Sequence, residues 1–114
     1  MSSLSVRLFP EPLRTLAFGA IGAGYMGVGT AFANPCRLIF IQNLTDALLM
    51  FSMDGMIDHF PLPSNGFLLL DISANRNNPQ GALYISEGTR IYVKDTGVAP
   101  TMGAVYVTVF YGIN

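Results

Sequence analysis

Turn-forming residues recur along the chain at intervals close to ten, and this spacing constrains the fold more than any other feature. Asn34-Pro35, Asn43 to Asp46, Asp54-Gly55, Pro63 to Gly66, Asn75 to Gly81, Glu87-Gly88 and Asp95 to Pro100 leave only short β-branched and aromatic runs between them. Those runs are Thr15 to Ala20, Arg37 to Asn43, Ala47 to Met53, Ile57 to Leu62, Phe67 to Ile72, Ala82 to Ile85, Arg90 to Lys94 and Gly103 to Tyr111. None carries the 3.6-residue apolar period of a helix. The pattern predicts an all-β fold, an antiparallel β-sandwich (jelly-roll-like or a related barrel) of about eight strands.

Arg37 to Asn43 and Ala47 to Met53 flank a four-residue turn and read as a hairpin. Asp54-Gly55 reads as a tight type I′ turn, in which both central residues need positive φ. Residues 1 to 13 hold Ser2, Ser3, Ser5, Pro10 and Pro12 without periodicity, which predicts an extended N-terminal arm that docks on a neighbour. Residues 14 to 114 are then a single sandwich domain, with no internal repeat or linker.

Composition says how such a domain meets its surroundings. The chain is 51% hydrophobic and 11% charged, against about 25% charged for ordinary soluble domains. In the last run, Val105, Val107, Val109 and Tyr111 share one face and Ala104, Tyr106, Thr108 and Phe110 the other. Leu38 to Ile41 and Phe67 to Leu70 also lack the polar alternation of a sheet with one wet face. Covering such strands on both sides calls for a homo-oligomer or docking into a shell. The apolar residues placed to form those contacts are Leu8, Phe9, Leu13, Phe18, Tyr25, Phe40, Phe67, Tyr106 and Phe110.

Several function classes are excluded or weakened. Six basic residues, Arg7, Arg14, Arg37, Arg76, Arg90 and Lys94, are scattered among seven acidic ones, without the dense positive charge that direct nucleic-acid binding requires. The single cysteine, Cys36, has no intramolecular disulfide partner, and the single histidine, His59, cannot form a metal cluster alone. Leu16 to Ala33 runs eighteen residues without a charge and imitates a membrane span or a signal peptide. It starts late, behind Pro10 and Pro12, and holds five glycines between Gly19 and Gly29, so neither is expected.

Gly22-Ala23-Gly24-Tyr25-Met26-Gly27 spells G-x-G-x-x-G, with Asp46 near the place of a ribose-binding acid. A dinucleotide site needs a helix starting at those glycines, and Asn34-Pro35 arrives too soon. The glycines are expected instead to let strands pack closely, bulge or turn. His59 with Asp54, Asp58 and Ser52 or Ser64 offers the residue types of an acid/base group, but adjacent strand residues point to opposite faces. Asp46, Asp54, Asp58 and Asp71 lack a dense calcium loop, and turn stabilisation is the expected task of Asp46 and Asp54. Asn43-Leu44-Thr45 matches the N-glycosylation sequon. No enzyme activity and no cofactor are expected.

One resemblance remains. Asn34-Pro35-Cys36-Arg37-Leu38-Ile39, Asn43-Leu44-Thr45-Asp46, Ser52-Met53-Asp54-Gly55, and Asp58-His59-Phe60-Pro61-Leu62-Pro63 stand in an order similar to that of small virion proteins of tailed bacteriophages. Gly88-Thr89-Arg90-Ile91-Tyr92-Val93-Lys94 and Ala99-Pro100-Thr101-Met102-Gly103-Ala104-Val105-Tyr106 continue it, and Leu16 through Gly29 fits the same group. The resemblance covers roughly residues 14 to 112 and consists of turn and strand patterns. It implies a structural protein made in the host cytoplasm and built into the virion. The first expected place is the head-to-tail region (neck, collar or connector), beside portal, connector, tail or major capsid protein; the second is capsid decoration or cement. A small carbohydrate- or cell-surface-binding β module is the alternative of another class.

Overall fold

The computed structural model describes residues 7–71 and 85–113. Nine strands form two antiparallel sheets, as the turn spacing predicts. They are β1 (Arg7–Pro10), β2 (Arg14–Ala17), β3 (Met26–Gly27), β4 (Leu38–Asn43), β5 (Leu49–Ser52), β6 (Phe60–Leu62), β7 (Phe67–Asp71), β8 (Tyr92–Asp95) and β9 (Ala104–Ile113). One sheet has the order β1-β9-β4-β7, with β2 also on β9; the other has the order β3-β8-β5-β6.

The long strand β9 organises the first sheet. Its β-branched valines suit a pleated surface packed on one side, and Val105, Val107 and Val109 are fully buried. Ile39 and Ile41 of β4 lie beside Val109 and Val107 in register. From the other sheet, Leu49, Phe51 and Val93 close the core, each fully buried. Complete burial of such side chains contributes about 1.5–3 kcal/mol each. Phe51 also stacks on Phe60, with ring centroids 5.3 Å apart.

The edge formed by β1 and β2 is one broken strand. Pro10 faces Phe110 while Arg14 faces Val107, so four steps along the edge oppose three along β9. The extra residue makes a β-bulge, held by the Glu11 N–H donating to the Val109 carbonyl at 2.9 Å. Within the expected arm of residues 1 to 13, Arg7–Pro10 is therefore extended and hydrogen-bonded to β9. Residues 1–6 lie outside the described residues.

Three local expectations are corrected. The hairpin expected between Arg37 to Asn43 and Ala47 to Met53 does not form, because β4 pairs with β7 and β9 whereas β5 pairs with β6 and β8. The Asn43 side chain turns the chain from one sheet to the other. Its Nδ2 donates to the carbonyls of Ala47 (2.8 Å) and Leu62 (2.9 Å), and its Oδ1 accepts from the Thr45 N–H (3.0 Å) and hydroxyl (2.6 Å).

The hairpin at Asp54-Gly55 exists between β5 and β6, but its loop runs from Met53 to His59 and is no tight turn. Gly55 has φ of 78°, whereas Asn65 is the only non-glycine with positive φ among the described residues, so Asp54 cannot fill a type I′ position. The expected strand from Ile57 begins only at Phe60. The Asp54 carboxylate accepts the N–H groups of Met56 (2.8 Å) and Ile57 (3.0 Å), which removes both donors from the ladder. At the other end, Pro63 to Gly66 forms a type II turn, with Asn65 at φ 64° and Gly66 N–H donating to the Pro63 carbonyl.

The run expected from Ala82 to Ile85 falls mostly outside the described residues, as does the Asn75 to Gly81 loop. Ile85 itself bridges to Cys36.

Candidate functional site

The residues with catalytic potential are absorbed by local structure. Ser52 is fully buried, and its hydroxyl donates to Asp54 at 2.8 Å. His59 Nδ1 accepts from the Met53 N–H at 3.0 Å, so the ring closes the same loop rather than facing the serine hydroxyl. Hydrogen bonds from Ile57, Met56 and Ser52 to Asp54 pull its pKa down to about 2, as befits a carboxylate engaged in a turn. Asp58 sits on Tyr25 (2.5 Å) and Lys94 (3.2 Å), which lower its pKa. The Tyr25 hydroxyl is shifted upward by desolvation and by that same carboxylate.

Asp46 reaches across the chain to Thr101, accepting from its N–H at 2.8 Å and from its hydroxyl. Asp46 and Asp54 thus stabilise turns and loops, as their sequence settings indicate. Among the described residues, no group of three histidines, cysteines or carboxylates converges on a metal position. The sequon is closed, because Asn43 is fully buried with its amide committed to backbone carbonyls.

The G-x-G-x-x-G stretch starts no helix; a short 3-10 turn at Phe18–Ala20 precedes it and its last two residues, Met26–Gly27, form β3. Its last glycine, Gly27, and Gly29 just beyond it serve close approach, though the groups approaching are arginine side chains and not strands. A Cβ on Gly27 would overlap the Arg90 guanidinium, and one on Gly29 would press on the Arg14 stem. Arg90 Nε donates to the Gly29 carbonyl at 2.6 Å, and Arg14 Nε to the Thr30 carbonyl at 2.7 Å.

Arg14 is the centre of a buried clamp. It donates to Glu11 at 2.7 Å and to the Ala31 carbonyl at 3.0 Å, and its guanidinium lies 4.9 Å from the Phe32 ring centre. Burial alone would raise the Glu11 pKa, but hydrogen bonds from Asn34, Arg14 and the Ala33 N–H outweigh it and leave the carboxyl below its ordinary range. The clamp fastens the bulged edge to the loop before Pro35.

The surface that remains unexplained by folding is the outer face of the five-stranded sheet. Strand register places three rows there. Thr15, Tyr106, Gln42 and Phe67 form one; Thr108, Phe40 and Leu69 the next; Pro10, Phe110, Leu38 and Asp71 the third. Phe67 is 62% exposed and Leu69 53%. Phe40 meets Phe67 edge-on, with ring centroids 5.6 Å apart. Asp71 stands at the corner of these rows, and the Arg37 side chain lies against Gly112 just beyond the third row.

Four of the nine residues expected at interfaces, Phe40, Phe67, Tyr106 and Phe110, share this face, and Leu8 extends it opposite Gly112. The other four lie elsewhere. Phe9 stacks on Tyr111 on the opposite side of the sheet, 5.8 Å between centroids. Leu13 projects from the bulge, 58% exposed. Phe18 starts the 3-10 turn, and Tyr25 belongs to the polar contact with Asp58 and Lys94 near the second sheet. Sequence reasoning missed Leu38 and Leu69, although each stands two positions from a chosen phenylalanine and strand alternation places both on the same face.

A second group of exposed apolar residues, Leu44, Leu48, Val98 and Met102, occupies the loops at one end of the sandwich. Compared with family models, with curated proteins and with solved structures, the chain finds a match in none of the three.

Proposed function

We propose that this protein is a non-enzymatic structural subunit of a multi-copy assembly, and that the assembly is the virion of a tailed phage, with the head-to-tail region as its place. The outer face of the five-stranded sheet carries the reading. Monomeric proteins rarely leave a broad contiguous apolar patch in water, and here Phe67 and Leu69 stand exposed beside Phe40, Tyr106 and Phe110. The serine, histidine and carboxylates that might have served catalysis are engaged in turns. The virion assignment rests on the resemblance of the turn and strand patterns. Portal, connector, tail or capsid subunits are the neighbours it implies.

The test is the composition of the particle. In tailed virions purified by density gradient from an infection that produces this chain, mass spectrometry is expected to find it at a fixed ratio to the major capsid protein. Recovery only among unassembled proteins would overturn the placement.

A further inference from the structure

We infer that Asn65 is the site at which this chain deamidates, and that the turn at residues 63–66 holds the reaction closed until that turn opens.

The turn itself selects the reactive pair. Asn65 is the only asparagine followed by glycine. It stands at the third position of the type II turn with φ of 64°, a setting that asparagine tolerates better than most side chains. A Cβ on Gly66 would lie 2.8 Å from Pro63 Cδ and 2.9 Å from the Pro63 carbonyl oxygen, so the next residue has to be glycine. The fold thereby sets a side-chain amide, on a residue exposed to water, next to a backbone nitrogen that no side chain hinders.

The chemistry needs water alone as co-reactant. Hydroxide removes the Gly66 amide proton, and the nitrogen attacks Asn65 Cγ. A C–N bond forms, the Cγ–Nδ2 bond breaks, and ammonia leaves with a proton from water. One water then opens the cyclic imide at either carbonyl, giving aspartate, or isoaspartate with the main chain rerouted through the side chain. Asparagine is among the residues most prone to such loss on heating.

The same turn supplies the restraint. At its third position ψ is about 0°, which sets the Gly66 nitrogen beside Asn65's own nitrogen and away from Cγ. The Gly66 N–H donates to the Pro63 carbonyl at 2.8 Å, the Asn65 N–H to the Asn43 carbonyl at 2.8 Å, and the Asn43 N–H to the Gly66 carbonyl at 2.9 Å. The Ser64 hydroxyl adds a tie to the Thr45 carbonyl at 2.6 Å. Cyclisation must swing the Gly66 nitrogen over the side chain and break its bond to Pro63, so it waits on local opening of the connection between β6 and β7. The other described asparagines lack this chemistry. Asn34 precedes a proline, which has no amide proton; Asn43 is fully buried, and the Leu44 N–H behind it is held by the Ala104 carbonyl.

The experiment holds the full chain at pH 8, folded in buffer or unfolded in urea, and follows its proteolytic peptides by mass spectrometry with fragmentation that separates aspartate from isoaspartate. Asn65 is expected to deamidate ahead of every other asparagine in the unfolded chain, and at least tenfold more slowly in the folded one. Ser64→Ala is expected to speed the folded reaction about fivefold, as the loss of one hydrogen bond allows, with the far-ultraviolet circular dichroism unchanged. Equal rates in the folded and unfolded chains, or faster reaction at another asparagine in urea, would overturn the inference. A folded Ser64→Ala chain that reacts at the parent rate would overturn the turn's part in it.

Discussion

The Glu11 carboxylate and the Arg14 guanidinium meet at 2.7 Å with both side chains nearly closed to water, and together they bind the bulged sheet edge to the Thr30 to Asn34 loop. Breaking a buried pair leaves an uncompensated charge, which costs about 3–5 kcal/mol. Arg14→Met is therefore expected to destabilise the protein by about 3 kcal/mol in urea unfolding, and more than the exposed substitution Thr101→Ala.

The same carboxylate sets a pH dependence. Its folded pKa lies below the unfolded one, so the folded state binds fewer protons and gains stability as pH rises. That contribution is full above the unfolded pKa of about 4.3 and lost as pH falls through the lower folded value. Urea midpoints measured from pH 6 downward are expected to fall less steeply in Glu11→Gln than in the parent chain. Asp54, drawn down to about 2 by Ile57, Met56 and Ser52, extends the same trend to lower pH.

Gly103 is expected to be irreplaceable. Its φ is 89°, and a Cβ there would overlap the Leu44 carbonyl. Gly88 has nearly the same φ, 88°, but opens onto free space. Gly88→Ala should cost only the backbone term of about 1 kcal/mol, whereas Gly103→Ala should cost roughly 2–3 kcal/mol because strain and overlap add. Equal losses in thermal or urea unfolding would contradict the Leu44 contact.

The Cys36 thiol is buried, and desolvation followed by the nearby Glu11 charge pushes its pKa up to about 12. The thiolate is the reactive form. Native protein at pH 8 is expected to leave a disulfide reagent such as dithiobisnitrobenzoate unreacted for hours, and denaturant to release one equivalent at once.

Asn43 is expected to be a folding residue and not a glycan acceptor. Asn43→Ala would strand the carbonyls of Ala47 and Leu62 and the donors of Thr45, at about 1–3 kcal/mol for each group left unsatisfied. Expressed through a glycosylating secretory route, the folded chain should carry no mass increment at the sequon.

The fold class was legible because turn chemistry is local. Pro63 to Gly66 and Asp54-Gly55 mark ends of strands whatever those strands pair with. Pairing was less legible. Asn43 to Asp46 has the composition of a hairpin turn, and only the reach of the Asn43 amide to Leu62, nineteen residues away, reveals that it switches sheets.

Arg14 looks like one more dispersed surface charge until the Thr30 and Ala31 carbonyls are brought to it. Pro10 suggests an unpaired arm, yet proline is tolerated at a sheet edge, where β1 uses it. On the outer face, Phe40, Phe67, Tyr106 and Phe110 could be chosen because their runs lack polar alternation. Their convergence required the β4–β7 and β4–β9 registers. Phe9 and Tyr25 carry the same aromatic signal and lie elsewhere.

The Pro10-Glu11-Pro12 bulge limits what can be added to the sheet at its β1–β2 margin. Two of those three residues have no amide hydrogen, and the third spends its own on Val109. A foreign strand laid along this margin therefore finds no donor through the bulge, which interrupts the edge as a template for continuous strand addition.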